Sequence, residues 1–177
     1  MNNELQIYDP RRAGLIERYH AQTHVTQQTV GEHTWQVLRI LTTIWPQVPQ
    51  HILVYGVYHD IAEGVTGDVP YPVKLGDLKI KRLMDLAEEA TVAELQRKWG
   101  TPRIPTLTDL EKKVFKGCEL IDFLEYAWYE KNLGNKYAQI IIDRVMPRVV
   151  GLYSLPDFGS KFQNYVEQRL AYEEERI

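Results

Sequence analysis

Two Thr-x-x-Glu sequences, each followed by a long segment of helical periodicity, constrain the fold of this chain more than any other feature. Thr29 with Glu32 and Thr108 with Glu111 have the spacing of a capping box, in which each side chain bonds a backbone N–H at the start of a helix. After Thr29, apolar residues recur near a helical period until Pro46, which ends the segment. The two sequences therefore predict the starts of two long helices.

Helices are also predicted for the rest of the chain, because no segment alternates polar and apolar residues for long enough to indicate a strand. The predicted segments are a first helix around Arg11 to His20, a buried helix over "QHILVYGVYHDIAEG" with Gly64 as its C-cap, a long amphipathic helix over "DLKIKRLMDLAEEATVAELQRKW", and a last helix from Phe158 to Arg176. The predicted buried face of the amphipathic helix comprises Ile80, Leu83, Leu86, Ala87, Ala90 and Ala93 to Leu95. The predicted fold class is an all-α, single-domain helical bundle.

The composition suits one globular domain, taken as residues 1–177, since 44% of the residues are hydrophobic and 25% are charged. The formal net charge of −3 is not that of a general nucleic-acid or membrane-surface binder, which is usually basic. No apolar run reaches the roughly 18 residues that span a bilayer, and the start lacks the apolar core of a signal peptide. The single Cys118 cannot form an internal disulfide. We therefore expect a cytoplasmic location, with no membrane or nucleic-acid polymer as a partner.

The segment "VYHDIAEGVTGDVP", residues 57 to 70, concentrates groups that bind metals. His59 and Asp60 lie near the predicted end of one helix, and His33 lies in the first turn of the helix before it. Imidazole nitrogen and carboxylate oxygen are suitable ligands for Zn, Mn, Co or Fe(II). Adjacent residues on a helix point about 100° apart, so His59 and Asp60 reach one ion together only near a helix end. Spacing alone is also compatible with a surface His33 and a buried, hydrogen-bonded His59.

Three segments, "VGEHTWQV", "YHDIAEGVTGDVPYPVK" and "KGCELIDFLEY", together resemble the HD-domain phosphohydrolase family. Over roughly residues 11 to 135, the match is to the group of bacterial 5'-deoxynucleotidases and short phage dATP triphosphohydrolases. The resemblance implies an all-α fold, one divalent metal ion (Co, Mn, Zn or Fe(II)), a deoxynucleotide substrate and a homo-oligomer. It implies His33, His59 and Asp60 as metal ligands, with a fourth acidic ligand from the helix after Thr108.

The fourth ligand departs from the family pattern, in which a Lys is followed three residues later by a ligating Asp. Here Lys116 is followed at that distance by Glu119, whose carboxylate stands on a stem one methylene longer. Asp122, one helical turn further on, is the alternative ligand. Because Lys116 fixes the register, Glu119 is the predicted fourth ligand. Because Glu119 replaces the family's Asp, a catalytically impaired nucleotide-binding protein is a second alternative for the function.

The resemblance also assigns roles to residues that do not bind the metal. It implies Glu63 and Asp68 as the groups that handle the water nucleophile and its protons, and Glu63 lies one helical turn after His59. Arg18 and Tyr19 occupy the places of the family's phosphate-binding Arg and of the aromatic residue that packs on the nucleoside. Further substrate-binding residues are Pro72, with Ala21 as another candidate near the base, and Lys74 and Lys116 near the phosphate. The structural alternatives are solvated surface charge for the cations and core packing for the tyrosine.

The number of cations bears on the substrate. Arg18, Lys74 and Lys116 beside one metal ion suit the roughly four charges of a triphosphate better than the about two charges of a monophosphate. The short length and the "RYH" segment also resemble the phage enzymes. The predicted reaction is therefore attack of water on the α-phosphorus of a deoxynucleoside triphosphate, dATP by the resemblance, releasing deoxynucleoside and triphosphate. The alternative is a 5'-deoxynucleotidase that hydrolyses deoxynucleoside monophosphates.

Overall fold

The structure is a computed structural model in which residues 7–70 and 76–174 are described. Its α-helices are α1 (Val30–Ile44), α2 (Gln50–Tyr58), α3 (Glu63–Thr66), α4 (Leu78–Trp99), α5 (Asp109–Asn132), α6 (Ala138–Gly151) and α7 (Gly159–Glu174). Two 3-10 helices, Pro10–Leu15 and Leu152–Ser154, and two short strands, β1 (Glu17–Arg18) and β2 (Gln28–Thr29), are also present. The described part of the chain is predominantly helical, so the predicted all-α class is confirmed.

Contacts divide the chain into two compact units. The first comprises the chain up to Gln22, Gln27–Thr34 and Leu53–Thr106, and the second comprises Thr23–Thr26, Trp35–Ile52 and the chain from Leu107 onward. The expected single domain over residues 1–177 stays a prediction. Within the described ranges, no helix combines the length and the apolar character needed to cross a membrane.

Both predicted capping boxes are present. The Thr29 N–H donates to the Glu32 carboxylate at 2.7 Å, and the Glu32 N–H donates to Thr29 Oγ1 at 3.2 Å. Thr108 and Glu111 make the same reciprocal bonds at the start of α5, at 2.7 and 3.3 Å. These bonds satisfy backbone donors that a helix start leaves without helical partners. The sequence pattern therefore located both helix starts correctly.

The predicted helix around Arg11 to His20 is wrong. A 3-10 helix spans Pro10–Leu15 and is capped by the Asp9 side chain, which accepts a hydrogen bond from the Arg11 N–H at 3.0 Å. β1 follows and pairs antiparallel with β2. Polar-apolar alternation could not reveal this ladder, because each strand is only two residues long.

A close approach of two backbones accounts for the extended path. A Cβ built on Gly31, in the first turn of α1, would lie 2.9 Å from the carbonyl oxygen of Gly14. The backbone at Gly14 therefore packs directly on the start of α1, shortly before the ladder that pairs Arg18 with Gln28. A tertiary contact of this kind overrides local helix propensity. As a result, Arg18 lies in β1, next to β2, the strand that directly precedes α1.

The predicted helix over residues 50–64 is interrupted after Tyr58. Beyond that point, backbone N–H groups bond carbonyl oxygens three residues back, as the Glu63 N–H does at 3.0 Å, which makes a tighter turn than an α-helix. The predicted cap is also wrong. Gly64 lies inside α3, and Gly67, with a φ of 74°, is the C-cap instead. The interruption creates a helix end at the His-Asp pair.

A small apolar cluster forms the core of the first unit. Its buried members are Ala13, Ile61 and Leu95, and the residues packed against them are Tyr8, Tyr58, Val92 and Ile104. The backbone at Ala13 also lies close to α3, because a Cβ built on Gly64 would be 2.9 Å from the Ala13 nitrogen. The cluster thus ties the first 3-10 helix to α3 and α4.

The predicted long helix is confirmed as α4, but its predicted buried face is wrong. Of that face, Leu95 is buried, whereas Ile80, Leu83, Leu86, Ala87, Ala90 and Ala93 are exposed. The less exposed row runs through Met84, Thr91 and Leu95, at helical spacing. The side of α4 that meets the apolar cluster is therefore rotated from the side with the larger apolar side chains. An amphipathic pattern predicts a helix, and its neighbours decide which side is covered.

In the second unit, α5 packs against α6, and the second 3-10 helix packs against α6 and α7. Phe162 of α7 is fully buried, and a Cβ on Gly117 of α5 would lie 2.7 Å from its ring. Arg39 of α1 donates hydrogen bonds to Glu125 of α5 and to the Tyr165 hydroxyl of α7. These contacts fix α5, the helix that carries the predicted fourth metal ligand.

Candidate metal and nucleotide site

Three predicted metal ligands come together in the first unit. One ligand atom from each of His33, His59 and Asp60 lies within 4.8 Å of the others. Asp60 Oδ2 is 3.1 Å from His59 Nε2 and 3.8 Å from His33 Nε2. The two imidazole centroids are 5.8 Å apart. Two nitrogens and one oxygen around a common point form a donor set that suits zinc and similar divalent cations.

The local folds explain this convergence. His33 lies in the first turn of α1, directly after the capping box, and is 1% exposed. His59 and Asp60 directly follow Tyr58, the last residue of α2. Side chains of adjacent residues inside a helix would diverge by about 100°. Because α2 ends at Tyr58, His59 and Asp60 lie beyond the regular helix, and one ligand atom of each approaches His33.

A hydrogen bond fixes the tautomer of His59. Its Nδ1 lies 2.8 Å from the Gly56 carbonyl oxygen, which can only accept, so Nδ1 carries the proton. In the neutral ring, Nε2 then holds the lone pair on the side of Asp60. Tyr55, one turn earlier on α2, stacks on this ring with 5.9 Å between centroids and 23° between planes. Metal-binding histidines usually have such a partner on the far nitrogen, so the donor set fits a divalent metal ion.

Arg18 adds a cation to the group. Its Nη1 lies 3.4 Å from Asp60 Oδ2. Burial alone would raise the pKa of the Asp60 carboxyl, but His59, His33 and the guanidinium outweigh it and hold that pKa well below its usual range. Burial likewise opposes the charge of Arg18, while Tyr19 and the acidic neighbours raise its pKa above the usual value. The group therefore combines a carboxylate and two imidazoles with a cation suited to an anionic ligand.

The amino-acid sequence matches the family model described as 5'-deoxynucleotidase YfbR-like over residues 11–137. The chain belongs to this family. A 5'-deoxynucleotidase of Pasteurella multocida is 29% identical over 71% of this chain and 73% of that protein. A 5'-deoxynucleotidase of Photobacterium profundum is 24% identical over 88% of this chain and 89% of that protein.

Two solved structures have the same fold as this YfbR-like chain. An HD-domain phosphohydrolase from Listeria innocua has a TM-score of 0.71 at 14% identity, over 97% of this chain and 88% of that one. The HD phosphohydrolase DatZ of cyanophage S-2L, solved with dA and one catalytic Zn²⁺ ion, has a TM-score of 0.66 at 18% identity, over 93% and 96%. The predicted HD-domain fold is confirmed by these structures, and the predicted phosphohydrolase class is confirmed by the family.

Two further residues of the YfbR-like motif, Glu63 and Asp68, also belong to the first unit. Glu63 begins α3 and is 7% exposed. The Tyr19 N–H donates to the Asp68 carboxylate at 3.4 Å. Tyr19 has a φ of 58°, in the left-handed region that residues with side chains rarely adopt, and the guanidinium carbon of Arg18 is 5.4 Å from its ring centroid. Asp68 thus contacts the backbone of a predicted nucleotide-binding residue, which the sequence did not reveal.

Other predicted site residues lie on α5, in the second unit. Lys116 Nζ is 3.0 Å from Glu119 Oε2, and the Glu119 side chain is 18% exposed. Asp122, one turn further along α5, is 1% exposed. Pro72 and Lys74 fall outside the described residues. Glu119 as the fourth metal ligand, with Asp122 as its alternative, stays a prediction.

Sequence reasoning missed two residues whose contacts are notable. Tyr55 stacks on His59, and its position one helical turn earlier was an available signal. Glu130 of α5 is a carboxylate that is 2% exposed. Glu125 and Lys131 are charged residues of the same helix, so nothing in the local sequence marks Glu130 as the buried one.

Proposed function

We propose that the chain hydrolyses the 5'-phosphate of deoxynucleoside monophosphates, releasing deoxynucleoside and phosphate. The observation that carries the proposal is the convergence of His33, His59 and Asp60, beside Arg18, in a YfbR-like chain. Relatives named 5'-deoxynucleotidase support the monophosphate as the substrate. The proposal therefore departs from the sequence-based preference for dATP, which the comparisons do not confirm.

The proposed cofactor is one divalent metal ion. His33 and His59 would hold it through nitrogen and Asp60 through oxygen, and Glu119 of α5 is the proposed fourth ligand. A metal ion bound there would lower the pKa of a water molecule and screen the charge of the phosphate. Asp122 of the same helix is the alternative fourth ligand.

Arg18 is proposed to bind the phosphate. A guanidinium presents several N–H donors in one plane, which matches the oxygens of a phosphate. Only 17% of the Arg18 side chain is exposed, and a buried cation requires anions around it. Asp60 supplies one such anion, and a phosphate would supply another. The Tyr19 ring beside the guanidinium is proposed to pack on the nucleoside.

Glu63 and Asp68 are proposed to handle the water and the protons. The Glu63 N–H bonds the Asp60 carbonyl at 3.0 Å, so Glu63 is fixed to the backbone of a proposed ligand. A carboxylate so placed can orient the attacking water and take its proton. The bond between phosphorus and the 5'-oxygen then breaks, and the oxygen needs a proton. Asp68, which accepts from the Tyr19 N–H, is the proposed route for it.

The predicted triphosphohydrolase reaction on dATP is the second candidate. A triphosphate carries roughly four negative charges, and a monophosphate carries about two. Arg18 and one metal ion therefore balance the charge of a triphosphate less completely than that of a monophosphate. Lys116 of α5, 60% exposed in its side chain, is a further cation. Lys74 of the motif is another. These lysines are the reason to test both substrates.

Assays with dAMP and dATP test the proposal. With Co²⁺ or Mn²⁺ added, we expect deoxyadenosine and phosphate from dAMP, and no product after treatment with EDTA. Release of triphosphate from dATP without turnover of dAMP would establish the second candidate instead. Binding of dAMP without turnover of either substrate would identify a catalytically impaired nucleotide-binding protein.

A matched pair of histidine variants tests the site. His59→Gln is expected to abolish both turnover and bound metal, which is measured by elemental analysis of the protein. His51→Gln is the control, because His51 is an exposed histidine whose Nε2 is 3.0 Å from Glu111 in the second unit. It is expected to keep both properties. Full metal content in His59→Gln would contradict the proposed ligand set.

A further inference from the structure

Glu130 of α5 binds the segment Thr23–Thr26 of the second unit through both carboxylate oxygens. Oε1 accepts from the Thr26 N–H at 2.7 Å and from Thr26 Oγ1 at 2.6 Å. Oε2 accepts from the Val25 N–H at 2.6 Å. Hydrogen bonds to a charged acceptor are shorter and stronger than neutral ones. A carboxylate that is 2% exposed thus holds two successive backbone N–H groups.

Asn135 and Tyr126 extend this arrangement. Asn135 Nδ2 donates to Glu130 Oε2 at 2.8 Å and to the Thr23 carbonyl at 3.0 Å. The Tyr126 hydroxyl donates to the Thr26 carbonyl at 2.7 Å. Tyr126 lies one turn before Glu130 on α5, so both side chains face the same way. We call Tyr126, Glu130 and Asn135 the Glu130 clamp. It satisfies backbone groups of the segment that a helix or a sheet would otherwise satisfy.

The clamp depends on the charge of Glu130. Burial alone would raise the pKa of its carboxyl, but hydrogen bonds from Thr26, Val25 and Asn135 outweigh burial and lower that pKa. A glutamine has the same shape but one acceptor oxygen, and its NH₂ group would face N–H donors. Glu130→Gln therefore removes the clamp's function with the smallest change in volume.

The clamped segment continues directly from the residues proposed to bind nucleotide. Tyr19 precedes Thr23 by four residues, and β2 follows Thr26 after one residue. We infer that Glu130 is a positioning residue for nucleotide binding, which fixes Thr23–Thr26 and, through the chain, the backbone that presents Arg18 and Tyr19. The inference rests on the proposed function of these two residues.

The backbone at Tyr19 needs such support. Its φ of 58° is unfavourable for a residue with a side chain, and conformations of this kind persist only where the surroundings over-determine them. The Tyr19 carbonyl accepts from the Gln22 N–H at 2.8 Å, in a turn that leads directly into Thr23. Release of the segment would let this turn relax. The Tyr19 ring and the Arg18 guanidinium would then lose their common placement.

Glu130→Gln tests the inference, with Glu125→Gln as the matched control. Glu125 lies on the same helix and bonds Arg39, Tyr165 and Arg169 instead. We expect Glu130→Gln to raise KM for dAMP about tenfold or more, the scale of a small misplacement of binding groups. The kcat and the dissociation constant for Co²⁺ should change less. Amide hydrogen exchange should become faster over residues 19–26. Glu125→Gln is expected to lower the melting temperature and to leave KM and this exchange near wild type.

Several outcomes separate the inference from the proposed function. A lower melting temperature of Glu130→Gln with wild-type KM and wild-type exchange over residues 19–26 would overturn the inference. Arg18→Gln is the reference. If it raises KM and Glu130→Gln does not, the positioning role fails while the function stands. If the wild-type protein neither binds nor hydrolyses dAMP or dATP, the proposed function fails, and the inference with it.

A second, milder variant tests the clamp in case Glu130→Gln does not fold. Tyr126→Phe removes only the hydroxyl that bonds the Thr26 carbonyl, so the folded state should persist. We expect KM to rise about threefold, as for the loss of one hydrogen bond, with faster exchange at Thr26. A wild-type KM with unchanged exchange in this variant counts against the clamp.

Discussion

Nη1 of Arg18 lies 3.4 Å from Oδ2 of Asp60, the same oxygen that lies 3.1 Å from Nε2 of His59. One carboxylate oxygen therefore faces a guanidinium and the proposed metal site. The positive charge of Arg18 weakens the attraction of this site for another cation and strengthens its attraction for an anion. If the proposed function holds, Arg18 links the binding of the metal ion to the binding of phosphate.

Arg18→Gln is expected to change metal binding and substrate binding in opposite directions. Affinity for Co²⁺ or Mn²⁺ should rise about three- to tenfold, because removal of a nearby positive charge removes a repulsion of about 1 kcal/mol. KM for dAMP should rise roughly tenfold or more, because a charged hydrogen bond to phosphate is lost. Calorimetric titration with the metal alone and steady-state kinetics measure the two effects.

Arg11→Gln, at an exposed position in the first 3-10 helix, is the control and should change neither quantity. Weaker metal binding in Arg18→Gln would contradict the linkage. It would mean that the guanidinium mainly holds Asp60 in place.

Variants of α5 distinguish the two candidates for the fourth ligand. Glu119→Gln is expected to weaken Co²⁺ binding at least about tenfold, because substitution even of residues that only hydrogen-bond a metal ligand has an effect of that size. Asp122→Asn replaces a side chain that is 1% exposed and should lower the melting temperature more than the metal affinity. Metal titration and thermal unfolding of both proteins provide the comparison. If Asp122→Asn weakens metal binding and Glu119→Gln does not, Asp122 is the fourth ligand instead.

Glu119→Asp restores the residue that the family pattern has at this position. We expect it to bind metal at least as tightly as the wild-type chain, because the carboxylate is retained. If hydrolysis of dAMP appears only in this variant, the natural chain is the catalytically impaired alternative. If the wild-type chain is active and Glu119→Asp is not, the longer glutamate side chain is required at this position.

Gly64→Ala is expected to destabilise the first unit. The new Cβ would lie 2.9 Å from the Ala13 nitrogen and 3.3 Å from its Cα, and backbone atoms cannot turn aside as a flexible side chain can. A loss of about 1–3 kcal/mol in the free energy of unfolding is typical of such overpacking, and urea denaturation measures it. Gly151→Ala is the control, since its φ is −58° and the space around its Cβ is open among the described residues. It should gain up to about 1 kcal/mol. A similar gain in Gly64→Ala would show that the first 3-10 helix is not packed tightly there.

The helix starts were predictable from the sequence because their cause is local. Thr29 and Glu32 stand three residues apart, and their reciprocal bonds need no other part of the chain. The covered side of α4 was not predictable, because its neighbours and not its own pattern select the row at Thr91. The site shows the same division. The motif marked the three residues that converge, His33, His59 and Asp60. The bonds from Tyr19 to Asp68 and from Thr26 to Glu130 were not predictable, because they join residues 49 and 104 positions apart.

Acid is expected to release the Glu130 clamp. Burial would raise the pKa of the Glu130 carboxyl, but its hydrogen bonds hold the folded-state pKa below the ordinary value of 4.5. A carboxyl with a lowered folded-state pKa contributes its full stabilisation above its unfolded-state pKa and loses it as the pH falls through the folded-state pKa. The free energy of unfolding of the wild-type protein should therefore exceed that of Glu130→Gln near neutral pH, and the difference should shrink below about pH 4.5. Urea denaturation of both proteins between about pH 7 and pH 3 measures this difference. A difference that stays constant over this range would mean that the clamp depends on the shape of the side chain and not on its charge.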